Sequence, residues 1–194
     1  MKNLINSALI VLFFLSFSVL GNSQSLQERI QCPATIKATT QLNKCGSKVK
    51  YVDPFQKITD EEIVSLQCNS SPGTYFETGE NTVYYKATDK LNNSYFCIFK
   101  VQVVDQQKPF FTSFPSDLSK EAIDKDGTRV FWERPSADDN CGEVHVISSH
   151  KSGDFFPVGK TLVTYWVHDT EGNYITKSFK VTVSDDSLSL HAVE

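Results

Sequence analysis

The stretches FETGENTVYYKATD (Phe76–Asp89) and FPVGKTLVTYWVHD (Phe156–Asp169) carry Phe, Gly, Val, Tyr and Asp at matching positions. After the shared glycine an apolar residue returns at every second place. Val83, Tyr85 and Ala87 alternate with Tyr84, Lys86 and Thr88, while Val163, Tyr165 and Val167 alternate with Thr164, Trp166 and His168. A period of two is that of a half-buried strand, with one face in the core and the other in water. A chain that writes the same strand twice repeats a unit of structure.

The repeat extends outward in both directions. CPATIKATTQLNKCGSKVKYVDP (Cys32–Pro54) aligns with FPSDLSKEAIDKDGTRVFWERP (Phe114–Pro135), so that Pro33 meets Pro115, Gly46 meets Gly127, and Val49-x-Tyr51 meets Val130-x-Trp132. IVSLQC (Ile63–Cys68) meets EVHVIS (Glu143–Ser148), and CIFKVQVVD (Cys97–Asp105) meets KSFKVTVSD (Lys177–Asp185). Between the two strongest strands of each copy lie Asn92-Asn93 and Gly172-Asn173, residues that tolerate the left-handed backbone of a tight hairpin. The reading is all-β, with two antiparallel sandwiches of about 75–80 residues each. Their expected spans are 32–105 and 110–185, joined at 106–109, where Pro109 cannot continue a ladder. A short segment, 24–31, precedes the first domain and a polar tail, 186–194, follows the second.

Lys2, the apolar run Leu4–Leu20 and the small residues of GNSQS (Gly21–Ser25) read as an export signal over 1–23. The competing reading is a retained membrane anchor, for which the run is nearly long enough. No basic flank stops transfer, so no retained span is expected. Export makes Cys32, Cys45, Cys68, Cys97 and Cys141 candidate staples rather than zinc ligands, since no CxxC pair or Cys/His cluster is present. With 194 residues, 40% of them hydrophobic, and a net charge of −4, the chain can bury a core and offers no basic track for nucleic acid.

The string ADDNCG (Ala137–Gly142), FPVGKTLVTYWVHDTEGN (Phe156–Asn173) and FKVTVSD (Phe179–Asp185) resembles the hyalin repeat, or HYR, domain. The resemblance implies tandem immunoglobulin-like sandwiches in an extracellular protein concerned with adhesion or spacing, without catalysis. The first copy has ITDEE where the second has ADDNC, and Lys177 stands where the first copy has Cys97.

An up-and-down strand count places Cys32 and Cys97 together at the near pole of the first domain, and Cys45 and Cys68 together at its far pole. These are the expected bridges. Cys141 is then left unpaired in a loop facing the interdomain joint, either as a buried thiol or as a disulfide to another chain. A monomer is expected unless that second state holds.

His145, His150, His168 and His191 join no nucleophile and orienting group, so the chain is read as no enzyme. Asp169 and its counterpart Asp89 are read as turn caps. Asp138, Asp139 and Glu171 should approach Asp105, a composition suited to calcium. Gln106 and Gln107, however, stand where a dedicated site would carry acids. The carboxylates are therefore read as solvated, and no metal or cofactor is assigned. Asn69-Ser70-Ser71 and Asn92-Asn93-Ser94 are glycosylation sequons. The loops Asp53–Glu62 and Asp89–Tyr95 form the free tip, where Asp53, Phe55, Leu91 and Asn92 are the candidate contacts for a protein or glycan at the cell surface. The alternative is a structural subunit of a larger extracellular assembly.

Overall fold

In the computed structural model, which describes residues 25–59 and 62–185, each domain is built on one long hairpin. The expected export signal and the tail 186–194 lie outside the described residues. After a helical turn α1 (Leu26–Arg29), the first domain contains β1 (Ile36–Thr39), β2 (Gly46–Lys48), β3 (Ile63–Cys68), β4 (Tyr75–Glu77), β5 (Gly79–Asp89) and β6 (Ser94–Val104). The second domain contains β7 (Phe110–Ser113), β8 (Leu118–Glu121), β9 (Gly127–Arg129), β10 (Ser136–Asp138), β11 (His145–Ser148), β12 (Phe155–Pro157), β13 (Gly159–His168) and β14 (Tyr174–Ser184).

The β5–β6 ladder runs from Gly79 opposite Val103 to Thr88 opposite Ser94, and β13–β14 repeats it from Gly159 opposite Val183 to His168 opposite Tyr174. The turns form for the same reason in both. The Asp89 carboxylate accepts the amides of Leu91 at 2.9 Å and Asn93 at 2.8 Å, the Asn93 side chain at 2.9 Å and the Tyr95 hydroxyl at 3.0 Å. Asn92 takes the positive φ of 65° that the turn demands, and Gly172 takes 88° at the matching place.

Other strands attach to these hairpins. The sheet orders are β1-β6-β5-β3 and β11-β13-β14-β8, faced by the short pairs β2-β4 and β12-β9, with β7 paired to β10. One pairing per domain, β1 with β6 and β8 with β14, is parallel. Gly46 and Gly127 recur because a Cβ at either would press into the backbone carbonyl of Phe76 or Phe156 on the facing strand.

The alternation read from sequence becomes the core. Val83, Tyr85, Ala87, Phe99, Val101 and Val103 are buried in the first domain, and Val163, Tyr165, Phe179, Val181 and Val183 in the second. Tyr51 packs edge-on to Phe99 at 5.1 Å and Trp132 does the same to Phe179 at 5.3 Å. The Trp132 indole N–H donates to the Tyr165 hydroxyl at 2.8 Å, so the polar end of the indole is satisfied.

The parallel register explains one bridge. Ile36 lies opposite Val101, and four residues earlier in each segment Cys32, just ahead of β1, meets Cys97 of β6, with Cα atoms 5.5 Å apart and a disulfide between them. The expected Cys45–Cys68 bridge is corrected, because Cys45 bonds Cys141, with Cα atoms 4.7 Å apart. Cys45 sits beside Thr78 at the joint end of the hairpin, whereas Cys68 lies opposite Tyr85 partway up β5. Seven residues of extended chain, about 23 Å, separate those levels. The strand count failed because β3 stops halfway along the sheet rather than at its end. Cys141 is accordingly not the free thiol; Cys68 is unpaired and exposed.

A non-reduced peptide map should yield Cys32–Cys97 and Cys45–Cys141 peptides, with Cys68 alkylated in the native protein. A Cys45–Cys68 peptide would refute this topology. At the other end, α1 is tied to the approach to β3 by the Arg29–Glu62 ion pair. The Arg29 guanidinium and then the Thr59 amide hold the Glu62 carboxyl down at about 2, from an ordinary 4.5. A depressed carboxyl contributes stability above its unfolded pKa and loses it as pH falls through the folded value. In an NMR titration Glu62 should therefore stay ionised at pH about 3.5, where ordinary glutamates are mostly protonated, and Arg29→Ala should return its midpoint toward 4.5.

Candidate functional site: the interdomain joint

Two structural ends meet between the domains. β6 delivers Asp105 to the joint, and the β13–β14 turn delivers Asp169, Glu171 and Asn173. One carboxylate oxygen from each of Asp105, Asp169 and Glu171 lies within 4.8 Å of the others. Asp105 is only 2% exposed, so the expectation of a solvated carboxylate is corrected there; Asp169 is 4% exposed, and Glu171 is exposed. The turn-capping role read for Asp169 is present as well, since it accepts the Asn173 amide and side chain, each at 2.7 Å.

Neutral donors hold Asp105. Its Oδ1 accepts the Thr40 hydroxyl at 2.8 Å and the Gln107 amide at 3.0 Å, while Oδ2 accepts Asn140 Nδ2 at 3.1 Å. Asn173 Nδ2 donates to the Asp105 carbonyl at 3.3 Å, and Asn140 Nδ2 also reaches the Lys44 carbonyl at 3.2 Å. Gln107, where sequence reading looked for an acid, braces the linker. Its Nε2 donates to Thr40 Oγ1 and to the Gln41 carbonyl, and its Oε1 accepts the Asn43 amide. The Cys45–Cys141 disulfide closes the same junction covalently.

Asp139 completes the acidic group. Burial first, then the negative charges of Asp105, Asp169 and Glu171, push its carboxyl upward, against the Cys141 amide that donates to Oδ2. Its Oδ1 is buried with no hydrogen-bond partner among the described residues. Asp138 is exposed and accepts the Asp139 amide through its own side chain. No lysine or arginine ion-pairs with the four carboxylates among the described residues.

The residues expected at the free tip divide. Leu91 is 83% exposed and Asn92 is exposed at the hairpin turn. Phe55 is a core residue, 4% exposed and stacked on Tyr85 at 5.9 Å, so its place as a partner contact is corrected. Asp53 is partly buried and caps its own loop by accepting the Phe55 amide. Asn69 of the first sequon uses its side chain to continue the strand, donating to the Thr82 carbonyl and accepting the Tyr84 amide, both at 2.9 Å.

Sequence reasoning missed an apolar strip on the open face of the first domain. Tyr84 lies opposite Ile98, two rungs from Phe96 on the same face, and Tyr84, Ile98 and Phe96 are 47%, 65% and 54% exposed. The matching positions of the second domain are Thr164, Ser178 and Thr176, and there the Thr164 and Ser178 hydroxyls are 3.0 Å apart. The signal lay in these three outward positions of the repeat, which are apolar in the first copy and carry hydroxyls in the second.

Fold and joint together define a pair of immunoglobulin-like sandwiches fastened end to end. Residues 28–103 and 104–183 each match the HYR domain family, and the chain belongs to that family as a tandem pair. It is 32% identical over 158 residues to the rat sushi, von Willebrand factor type A, EGF and pentraxin domain-containing protein 1, covering 80% of this chain and 4% of that protein. It is 38% identical over 129 residues to hyalin of Lytechinus variegatus, covering 64% of this chain and 24% of that one. Hyalin of Strongylocentrotus purpuratus is 31% identical over 175 residues, 87% of this chain and 15% of that one. The chain thus spans a small part of each of these relatives. Drosophila N-cadherin EC1-3 superposes with a TM-score of 0.42 at 13% identity, covering 80% of this chain and 65% of that one.

Both tryptophans, Trp132 and Trp166, lie in the second domain, so their fluorescence reports its unfolding while circular dichroism reports both domains. In urea the two signals of the wild type should coincide. Cys45→Ser with Cys141→Ser should separate them and lower stability by about 2–4 kcal/mol. Coincident curves in the double variant would show that the bridge does not couple the domains.

Proposed function

We propose that the chain is an exported, non-catalytic module of adhesion type that binds a protein partner through the outer face of its first domain. Family membership and the hyalin relatives support the extracellular setting, as do two disulfides, which persist in oxidising compartments. Export would use the segment Met1–Ser23, and the mature chain would act as a monomer.

The observation that carries the reading is the exposed strip of Tyr84, Phe96 and Ile98. Aromatic and aliphatic side chains left in water on one copy, where its twin carries hydroxyls, favour a surface covered by another molecule. Leu91 and Asn92 at the adjoining tip would extend the contact toward a protein or glycan. Catalysis finds no support at His150. Its Nδ1 lies 2.9 Å from Ser149 Oγ, but that oxygen accepts the Thr164 amide, and no carboxylate orients the ring among the described residues.

The test is capture of partners from the native extracellular matrix on immobilised protein. Tyr84→Ser, Phe96→Ser and Ile98→Ser together should cut capture at least about tenfold, with the fold confirmed by circular dichroism. Undiminished capture would place the partner site elsewhere, and loss with Leu91→Ser alone would move it to the hairpin tip.

A second reading, a structural subunit of an extracellular assembly, is favoured by Cys68, an exposed thiol on the edge strand β3. A disulfide-linked species from the native source that disappears with Cys68→Ser would establish it.

A further inference from the structure

We infer that two copies of the chain pair through the free edge of β3, antiparallel about a twofold axis at Leu66, and so join their four-stranded sheets into one. β3 is the outermost strand of its sheet, bonded on one side to β5. The Asn69 amide donates to the Tyr84 carbonyl. By alternation the amides and carbonyls of Ser65 and Gln67 face β5, and those of Leu66 and Cys68 face the open edge. The side chains there lie in water as well. Val64 is 61% and Leu66 47% exposed, beside a groove of about 310 Å³ lined by Phe55, Ile58 and Ile63.

The composition of the edge selects its occupant. Among the outermost strands of the two large sheets, β1 carries Lys37, β8 carries Lys120 and Glu121, and β11 carries His145, side chains that guard an edge against pairing. β3 (Ile63–Cys68) carries no acidic or basic residue. Written in reverse, Val64-Ser65-Leu66-Gln67-Cys68 still alternates apolar with polar residues. An antiparallel copy centred on Leu66 therefore sets apolar against apolar and polar against polar, and no charge meets its own copy across the axis. This register places Cys68 opposite Val64 of the partner subunit and about 13 Å along the strand from the partner subunit's Cys68, so the contact needs no disulfide. β3 flanks only the tip half of β5, from Asp89 to Tyr85. The first domains thus overlap at their tips while the second domains point apart. The axis stands perpendicular to the sheet, so the Tyr84, Phe96 and Ile98 strips of both copies face the same side and offer a partner two linked surfaces.

Two six-residue strands make a small interface, in the weak class below about 1,200 Å². Pairing should therefore be populated at chain concentrations on the order of 10⁻⁴ M, with the monomer prevailing at lower ones. Sedimentation equilibrium of the Cys68→Ser protein should show the dimer there, which separates this contact from a disulfide-linked assembly. Leu66→Lys and Leu66→Glu, checked for fold by circular dichroism, should each weaken self-association at least about tenfold, because like charges then meet on the axis. An equimolar mixture of the two should recover the dimer, an ammonium facing a carboxylate. A Cys68→Ser protein that stays monomeric at that concentration would overturn the pairing, as would a Leu66→Lys variant that dimerises like the wild type or a mixture no more associated than its components. Tyr84→Ser, Phe96→Ser and Ile98→Ser together should leave the dimer intact, so partner capture and self-pairing fall separately; loss of the dimer in that triple variant would move the contact to the open face and overturn the edge.

Discussion

Register along a single hairpin is the constraint on which each domain rests. The β5–β6 ladder fixes which residues face inward, and a slip by one residue would put Tyr84, Lys86, Phe96 and Ile98 into the core in place of Val83, Tyr85, Cys97 and Phe99. Asp89 prevents the slip by gathering the turn amides on one carboxylate. The same register then dictates the neighbours, since β1 and β3 add to its two sides. Copying the hairpin copies the whole domain. It also means that the far end of the first hairpin and the turn of the second come to the same place, which is why the acids meet at the joint.

The two copies solve one packing problem by different chemistry. Where the first domain has the Cys32–Cys97 bridge, the second has Phe114 and Lys177, with the ammonium 4.6 Å from the ring centroid. Leu118 opposite Val181 gives the same parallel register, so Phe114 and Lys177 occupy the positions of the two cysteines. A bridge spanning a sequence separation of 65 restricts the unfolded chain by about 4 kcal/mol in the chain-entropy account. A cation–π pair is worth about 0.5–1 kcal/mol when exposed. Phe114 narrows the difference through its ring, which packs edge-on to Phe111 at 4.8 Å, Tyr165 at 6.0 Å and Phe179 at 6.1 Å. The first domain is fastened by a bond and the second by an aromatic cluster.

Much of this was legible in the residues. Period two identified the strands, the internal repeat gave two domains, and Asp89 and Asp169 announced their turns, because each depends on local spacing. The Cys45–Cys141 bridge was not legible, because it joins residues of different domains and no in-domain strand count can find it. Phe55 looked like a loop contact, yet its ring folds back onto Tyr85, a long-range choice that its polar neighbours Asp53 and Gln56 concealed. Gln107 was read as a missing acid; its value lies in donating and accepting at once, which a carboxylate cannot do.

The joint shows what that bridge is for. Interfaces between domains of one chain are usually held by apolar burial or left free to move. Here the meeting surfaces carry Asp105, Asp139, Asp169 and Glu171, like charges whose repulsion grows as water is excluded. Amides and hydroxyls from Thr40, Gln107, Asn140 and Asn173 satisfy lone pairs but do not neutralise charge. Left to these contacts alone, the domains would be driven apart at the point where the chain brings them together. The Cys45–Cys141 bond opposes that separation with a tether insensitive to ionic strength, and Gln107 stiffens the linker beside it. The acids can therefore remain clustered at the hinge, with the orientation of the domains set by covalent geometry and polar bracing rather than by an apolar seam.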